Sequence, residues 1–402
     1  MMIAGHQVDD TMFSYIARNL DADTCKLLLK AEPQLTFDKS FAILQIECRL
    51  KTQNKIPQLL ENNKFLFPKA ISAEQCTHEE VARFHASLFN VDDRVLDMTM
   101  GLGVDTYYIA KRVHSVTAVE LDEEIAHVGA YNLAFLTPNV TVVNANSVEY
   151  LDNLDADKKF DAIFIDPARR GEDGRRLYSF TDCLPNVVEL LPVIEQHCSC
   201  LYIKASPMLD VTQSMRDLGD CLTDVWAISI KNECKELLFK LVFKESEKAV
   251  NLHALNHDGI KWQCFSTQES IVHDSLSGPN VYASNYLYEP NASIMKLGCY
   301  KDVERAFGVP QLSSNSHLML SDSILDDFPG RRFRIKEVVP FKSKEIKQFS
   351  RRYKQMNIAV RNFRLNADAL KKRLGVKDGG SVYLFASTTE NGEQVMLVCE
   401  KF

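Results

Sequence analysis

The string VLDMTMGLGVDT, residues 95–106, carries the chemistry most worth pursuing in this chain. Asp97 closes an apolar run, Gly101 and Gly103 follow it, and a helical pattern begins at Val104. Glycines let a ligand come close to the backbone, and the free N–H groups of a helix start would face the same place. Gly101-x-Gly103-x-x-Thr106 nearly fits the dinucleotide fingerprint, and Glu120, an acid ending the next β-rich run, could take ribose hydroxyls. A nicotinamide oxidoreductase is therefore one reading. Asp97 argues against it, because a carboxylate four residues before Gly101 repels a pyrophosphate yet suits an ammonium. S-adenosylmethionine offers that ammonium, a ribose and no phosphate.

A second string, FIDPARRG, puts Asp166 and Pro167 after the fourth apolar run, on the carboxyl-end rim where Asp97 and Glu120 are expected. Asp166 is the candidate to align a nucleophile and hold or accept its proton. Lys204 ends the fifth run and Glu236 opens the last, in the order in which a lysine among carboxylates could deprotonate a ribose hydroxyl. No matching upstream lysine stands out among Lys64 and Lys69, and the competing reading pairs Lys204 with Asp166 structurally. Arg169, Arg170, Arg175 and Arg176 surround a glycine-containing loop and read equally as phosphate contacts or as solvated charge. Tyr178 and Phe180 could stack a base, although a core role is commoner, and Asn132 and Phe135 read as packing.

VLDMTMGLG, Glu120, Asn146 and Asp166-Pro167-Ala168-Arg169 resemble, in order and spacing, the motifs of class I S-adenosylmethionine-dependent methyltransferases. The LQIECRLKTQNKIP, FPKAISAEQC, GLGVDTYYIAK, DPARRGEDGRR, LYIKASPMLD, EPNASIMK and NFRLNADALKKRLG segments extend the resemblance over nearly the whole chain. They are similar to a bacterial methyltransferase family with a helical N-terminus, a small ferredoxin-like domain and a THUMP-like C-terminal domain. The resemblance implies S-adenosylmethionine as cofactor, held by Asp97, Thr99, Gly101, Gly103, Asp105, Glu120, Leu121, Asn146, Ser147 and Asp166, with Asp166 and Lys204 catalytic. Thr99 stands where the class often has a third glycine, and Asn146 where an acid often meets the adenine amine. The fourth residue of Asp166-Pro-Ala-Arg is not the aromatic usual in enzymes that methylate exocyclic amines. It is closer to uracil carbon-5 methyltransferases, but Ala205 falls where their nucleophilic cysteine would be. Since THUMP domains bind RNA, the resemblance implies a tRNA or rRNA substrate; modification on a base nitrogen without a covalent cysteine intermediate is expected. The alternatives are a ribose 2′-O-methyltransferase using Asp166, Lys204 and Glu236, or a non-catalytic RNA-binding protein with a relic pocket.

These residues need a sheet to hold them. From Arg94 to Phe243, β-rich runs alternate with helical patterns, which predicts a parallel, Rossmann-like α/β sheet covered on both faces. LTDVWAISIK and ELLFKLVF, joined by the KNECK turn, suggest an antiparallel hairpin on one sheet edge. Upstream, Ser40 is the expected cap of a helix running until Pro57, and Thr77-x-x-Glu80 reads as a capping box. Downstream lie a loop-rich stretch, a helix over Ile294–Phe307 and a strand at HLML. The tail then reads strand, helix, strand, a helix capped by Asn366 and stopped by Gly375, and a hairpin turning at Asn391-Gly392. The organisation is a helical N-terminal subdomain over 1–72, the catalytic domain over 73–248, a ferredoxin-like α+β domain over 249–330 and a basic THUMP-like domain over 331–402.

At 402 residues the chain exceeds a single core, and 46% hydrophobic with 25% charged residues excludes wholesale disorder. No apolar run approaches a membrane span and MMIAGHQVDD is no signal peptide, so a cytoplasmic protein is expected. Eleven cysteines without C-x-x-C knuckles, Cys198-Ser-Cys200 being the only close pair, point to no metal. Charge is uneven. The net is −7, yet 15 Lys and Arg face three acids between Arg331 and Arg373, a local +12 that leaves −19 elsewhere. Arg331, Arg332, Arg351, Arg352, Lys371 and Lys372, with Arg169 and Arg170, are the expected RNA contacts, while Phe333, Phe341, Phe349, Tyr353 and Phe363 are expected to form the module's own core.

Overall fold

The computed structural model describes residues 1–155, 159–169, 179–180, 183–243, 249–269, 276 and 278–402. The chain forms two compact units, 1–223 with 238–248, and 224–237 with 249–402.

The first unit is built on the alternation read from the sequence. Strands β1 (Arg94–Asp97), β2 (Ser115–Glu120), β3 (Val140–Asn144), β4 (Phe160–Ile165) and β5 (Cys198–Ala205) are joined in parallel in the order β3-β2-β1-β4-β5. The central strands β1 and β4 are almost wholly buried, as continuous apolar runs covered on both faces must be. Helices α3 (Val104–Ala110), α4 (Glu123–Leu136), α5 (Ser147–Asp152), α6 (Val187–His197) and α7 (Val211–Leu218) make the crossovers. All these strand ends therefore open on one rim.

Six helices precede the sheet, over 10–18, 24–29, 39–52, 57–60, 70–75 and 79–87. In α1 (Lys39–Thr52) the cap is Asp38, not Ser40, because the Asp38 carboxylate accepts from the N–H groups of both Ser40 and Phe41. Pro57 sits at the first position of a short helix of its own, Pro57–Leu60, instead of closing α1. In α2 (Glu79–Ser87) the cap is His78, whose Nδ1 accepts from Glu80 N–H; Thr77 is drawn off to a tertiary partner described below. Asn132 of α4 pairs both ways with the Leu66 backbone, at 2.9 and 2.8 Å, and Gln45 of α1 does the same with Phe67, at 2.7 and 2.9 Å. These side-chain amides satisfy buried backbone groups that no strand reaches. Phe135 is 39% exposed, and its ring meets Tyr131 edge-on.

Strand β7 (Glu233–Val242) contributes Leu238–Val242 to the first unit, beside β5, and its earlier half to the second. Strand β6 (Leu222–Ile230), in the second unit from Asp224 onward, is not the sheet edge that its hairpin with β7 suggested. Strand β8 (Asn251–His257) pairs with it in parallel, and β9 (Trp262–Gln268) pairs antiparallel with β8. A separate six-stranded sheet runs β11-β10-β12-β15-β14-β13, from β10 (Tyr286–Pro290), β11 (Met319–Ser321), β12 (Gly330–Pro340), β13 (Asn357–Val360), β14 (Val382–Thr388) and β15 (Gln394–Lys401). The expected single helix over 294–307 is two, α8 (Ala292–Leu297) and α9 (Tyr300–Phe307), because Gly298 turns into the left-handed region at φ +72°. Helices α10 (Ser343–Arg352) and α11 (Ala367–Leu374) pack Ile346, Phe349, Leu370 and Leu374 against the sheet, and Asn366 caps α11 as its sequence indicated. Phe333, Phe341 and Phe349 are buried, with Tyr353 and Phe363 packed beside them. No helix among the described residues is long and apolar enough to cross a membrane.

Candidate active site

The loop after β1 owes its shape to an alternation of apolar and small residues. Met98, Met100 and Leu102 turn inward and are buried, while Thr99 and Gly101 stay partly exposed on the rim. Met98 N–H donates to Phe164 O of β4 and Met100 N–H to Val119 O of β2, at 2.9 and 3.0 Å, so the loop is stitched to both neighbours of β1. The two glycines differ in purpose. A Cβ on Gly101 would point into open space, meeting only Thr99 O at 4.0 Å. Gly103 caps α3 at φ +82°, and a Cβ there would lie 3.4 Å from Leu133, so it serves the turn and the packing of α4 more than room for a ligand.

Asp97 is buried beneath this loop, at 1% exposure. One carboxylate oxygen accepts from Thr99 N–H at 3.0 Å and the other from Thr106 Oγ1 at 2.6 Å. Burial pushes its carboxyl up to about 7, although the bonds from Thr106 and Thr99 oppose the rise. Thr99, at the place of a glycine in the resembled class, accepts the Asp166 N–H on its Oγ1 at 2.7 Å and so ties the end of β4 to the loop. Glu120 braces the loop from the other side. Its carboxylate takes Gly101 N–H and Asp122 N–H, each at 2.9 Å. Leu121, next in the chain, is 71% exposed, an apolar surface that a flat ring could cover. Asn146 caps α5 by accepting from Val148 N–H at 3.0 Å, and Ser147 is the first residue of that helix.

Lys204, at the end of β5, reaches Asp166 at 2.6 Å, Thr77 Oγ1 at 2.9 Å and Asp105 at 3.6 Å. Asp166 is 40% exposed and Lys204 only 11%, so the pair spans the boundary between solvent and interior. Asp105, expected on the cofactor side, instead anchors a buried network: Thr77 Oγ1 donates to it, and His85 Nδ1 lies 2.8 Å from its other oxygen. Burial alone would raise the Asp105 carboxyl, but the Lys204 charge and the His85 and Thr77 bonds hold it well below the usual carboxylate range. Sequence reasoning misses His85 and takes Thr77 only as a helix cap. The signal was a histidine on the apolar stripe of α2, one turn after Val81. Cys76 is the cysteine whose thiol feels Lys204, and burial raises it.

Phe180 is buried against Phe239. The residue pairs 168–169 and 183–184 form a short antiparallel ribbon. The Arg169 side chain, with Arg170, Arg175, Arg176 and Tyr178, lies outside the described residues. Glu236 is buried on β7 within the second unit.

Several expected RNA contacts of the second unit are engaged internally. Arg331 and Arg361 both bind buried Glu289. Arg332 donates to Asp326 O at 2.8 Å and pairs with the Asp326 carboxylate, Arg352 grips both oxygens of Glu337, and Lys371 pairs with Asp368 and Asp378. Arg351 and Lys372 are exposed, and among the described residues no carboxylate lies within ion-pair distance of them.

Comparison with known proteins places these parts. Residues 60–160 match the ribosomal RNA adenine dimethylase family, 286–329 a ferredoxin-like domain family and 330–401 a THUMP domain-like family. The 23S rRNA (uracil(1939)-C(5))-methyltransferase RlmD of Photobacterium angustum is 36% identical over 110 residues, 27% of this chain and 46% of that protein. Ribosomal RNA small subunit methyltransferase J of Francisella tularensis subsp. novicida is 34% identical over 82 residues, 18% of this chain and 33% of its own. The chain thus spans less than half the length of either relative. The crystal structure of a "putative methyltransferase" from Porphyromonas gingivalis W83 superposes over 100% of both chains, with a TM-score of 0.87 and 26% identity. The fold is that of the class I methyltransferases, with ferredoxin-like and THUMP-like domains at the C-terminal end.

Proposed function

We propose that this chain, a class I methyltransferase fold carrying ferredoxin-like and THUMP-like domains, moves the methyl group of S-adenosylmethionine onto a base nitrogen of structured RNA, a tRNA or rRNA. One observation carries the reading: Glu120 bracing Gly101, and Asp166 held by Thr99 and Lys204, meet on a single rim of the sheet. The rRNA methyltransferases among its relatives support the substrate class.

The residues present fit the cofactor. Glu120 would take the ribose hydroxyls, Leu121 and Asn146 the adenine, and Asp97 would supply negative charge beneath the ammonium. Thr99 and Gly101 would line the loop against it, with Gly103 setting the turn, and Ser147 would offer its helix-start N–H. When bound, the sulfonium supplies an activated methyl group. The protein then has to orient the acceptor and manage its proton. Asp166, half in solvent and fixed at its backbone by Thr99, would accept a hydrogen bond from an N–H of the substrate base. Lys204 orients that carboxylate, and Asp105, His85 and Thr77 hold Lys204 in place. The ribose 2′-O alternative rests on the same Lys204, which lies between two carboxylates as a base for a hydroxyl would.

This arrangement gives a pH signature. Asp97 must be ionised to favour the ammonium, and with its carboxyl near 7 it is largely protonated below that value. Cofactor affinity should therefore rise up to ~10-fold per pH unit between about pH 5 and 7, with a proton released on binding at the lower end. Calorimetry in two buffers of different ionisation heat measures that release; a pH-independent affinity that persists in Asp97→Asn would remove Asp97 from the site.

No covalent enzyme–RNA adduct should form on RNA carrying 5-fluorouracil. Ala205 fills the expected cysteine position, and burial pushes the Cys76 thiol upward, away from the thiolate that attack requires. A band surviving a denaturing gel would identify a uracil carbon-5 enzyme instead.

A further inference from the structure

We propose that the positive surface around Phe341, made by Lys342, Lys344, Arg351, Arg364 and Arg373, docks the phosphate backbone of the RNA; the proposal rests on the RNA-methyltransferase reading above. The sequence counts charge over 331–373, and the structure sorts it. Arg331, Arg332, Lys336, Arg352, Arg361 and Lys371 are neutralised by carboxylates of their own unit. The five named cations are exposed, and among the described residues none has a carboxylate within ion-pair distance. Their positive field is therefore unbalanced locally.

Two of the five are pre-arranged. The Arg364 and Arg373 guanidiniums lie 5.0 and 5.1 Å from the centre of one ring, Phe341, which is itself 7% exposed and set edge-on against Phe363 at 4.9 Å. Resting on a fixed ring, each guanidinium loses little freedom on binding and keeps its edge N–H groups for phosphate oxygens. Lys342 and Lys344 lie one and three positions after Phe341. A groove of about 440 Å³ lined by Ser343, Lys344, Gln348 and Arg351 continues along α10, where 344, 348 and 351 fall on one helix face. Its lining holds two cations, two neutral polar groups and no acid.

A second cavity of this unit, about 290 Å³, is a poorer place for phosphate, because Asp258, Asp326 and Asp327 outnumber Lys261 and Arg332 in its wall. A membrane is also a poorer partner for the Phe341 surface. None of the exposed large apolar side chains of the described residues falls between 341 and 373, so nothing there would enter a bilayer.

The test uses the full chain and fluorescein-labelled bulk tRNA, with anisotropy read across a salt series. The triple variant Lys344→Gln/Arg364→Gln/Arg373→Gln should bind at least ~10-fold more weakly at low salt, and its log–log salt slope should shrink by about 2, at ~0.7–0.9 per lost phosphate contact. Lys344→Glu/Arg351→Glu, confined to the exposed face of α10 and leaving the Phe341 stacking alone, should weaken binding in the same direction if folding of the triple variant is compromised. Arg352→Gln/Lys371→Gln, whose charges are already paired, should keep the wild-type slope. Wild-type slopes in both patch variants would overturn the docking surface while the methyltransferase reading stands. Patch variants that lose binding to phosphatidylserine vesicles but not to tRNA would overturn it in favour of a lipid partner. A wild-type chain with no salt-dependent affinity for tRNA or rRNA would overturn the RNA reading itself.

Discussion

Asp166→Ala is expected to lower single-turnover methyl transfer by ~10²-fold or more, the usual scale for a positioned acid–base group, while S-adenosylmethionine affinity changes little. The carboxylate stands 40% exposed at the rim, and its backbone, held by Thr99 Oγ1, does not depend on the side chain. Removing it leaves Lys204 with Thr77 and Asp105, so the ammonium stays bonded and the fold should survive. A variant with wild-type turnover would take Asp166 out of the chemistry. Lys204→Met separates the two acceptor atoms. A ribose methyltransferase would lose its base and fall as far as Asp166→Ala, whereas a base-nitrogen enzyme would lose only the orientation of Asp166 and fall less.

Glu120→Ala should weaken binding of S-adenosylmethionine and of its demethylated product by ~10–100-fold, because a charge-assisted hydrogen bond is worth about 1.5–3 kcal/mol. Two losses combine there. The ribose would lose its carboxylate, and the N–H of Gly101 would lose the acceptor that fixes the loop, with Asp122 N–H losing its own. Glu120→Gln should recover part of the affinity, since its amide oxygen can still accept from Gly101. Calorimetry decides it, and undiminished affinity in Glu120→Ala would mean the ribose is held elsewhere.

The catalytic sheet was legible because its signals are local. Each β-rich run between Arg94 and Ala205 became a strand, and Asp97, Glu120 and Asp166 fell on the expected rim. The misreadings have physical causes. Ser40 lost the cap of α1 to a carboxylate two residues earlier that serves two N–H groups, and Thr77 lost its cap because Asp105, 28 positions away, offers a buried charged acceptor. The His85–Asp105–Lys204 network joins residues 20 and 99 positions apart, a distance over which no periodicity speaks. Strands β8 and β9 hid in a stretch whose polar residues resemble a loop, although Leu252, Ala254 and Leu255 are buried there. Counting charges located the basic module but not its accessible face, since Glu289, Glu337 and Asp378 cancel several of the residues that looked most exposed.

Methyl transfer from S-adenosylmethionine to RNA is read out by incorporation of tritiated methyl from labelled cofactor into total RNA of a strain lacking this protein, followed by nucleoside mass spectrometry. The wild-type chain should label one RNA species of that strain, and not RNA from cells that already contain the protein. The labelled nucleoside should carry its methyl on a base nitrogen, and Asp166→Ala should fail to produce it. Saturating enzyme that labels no RNA while binding the cofactor tightly, or a nicotinamide cofactor bound in its place, would contradict methyl transfer to RNA.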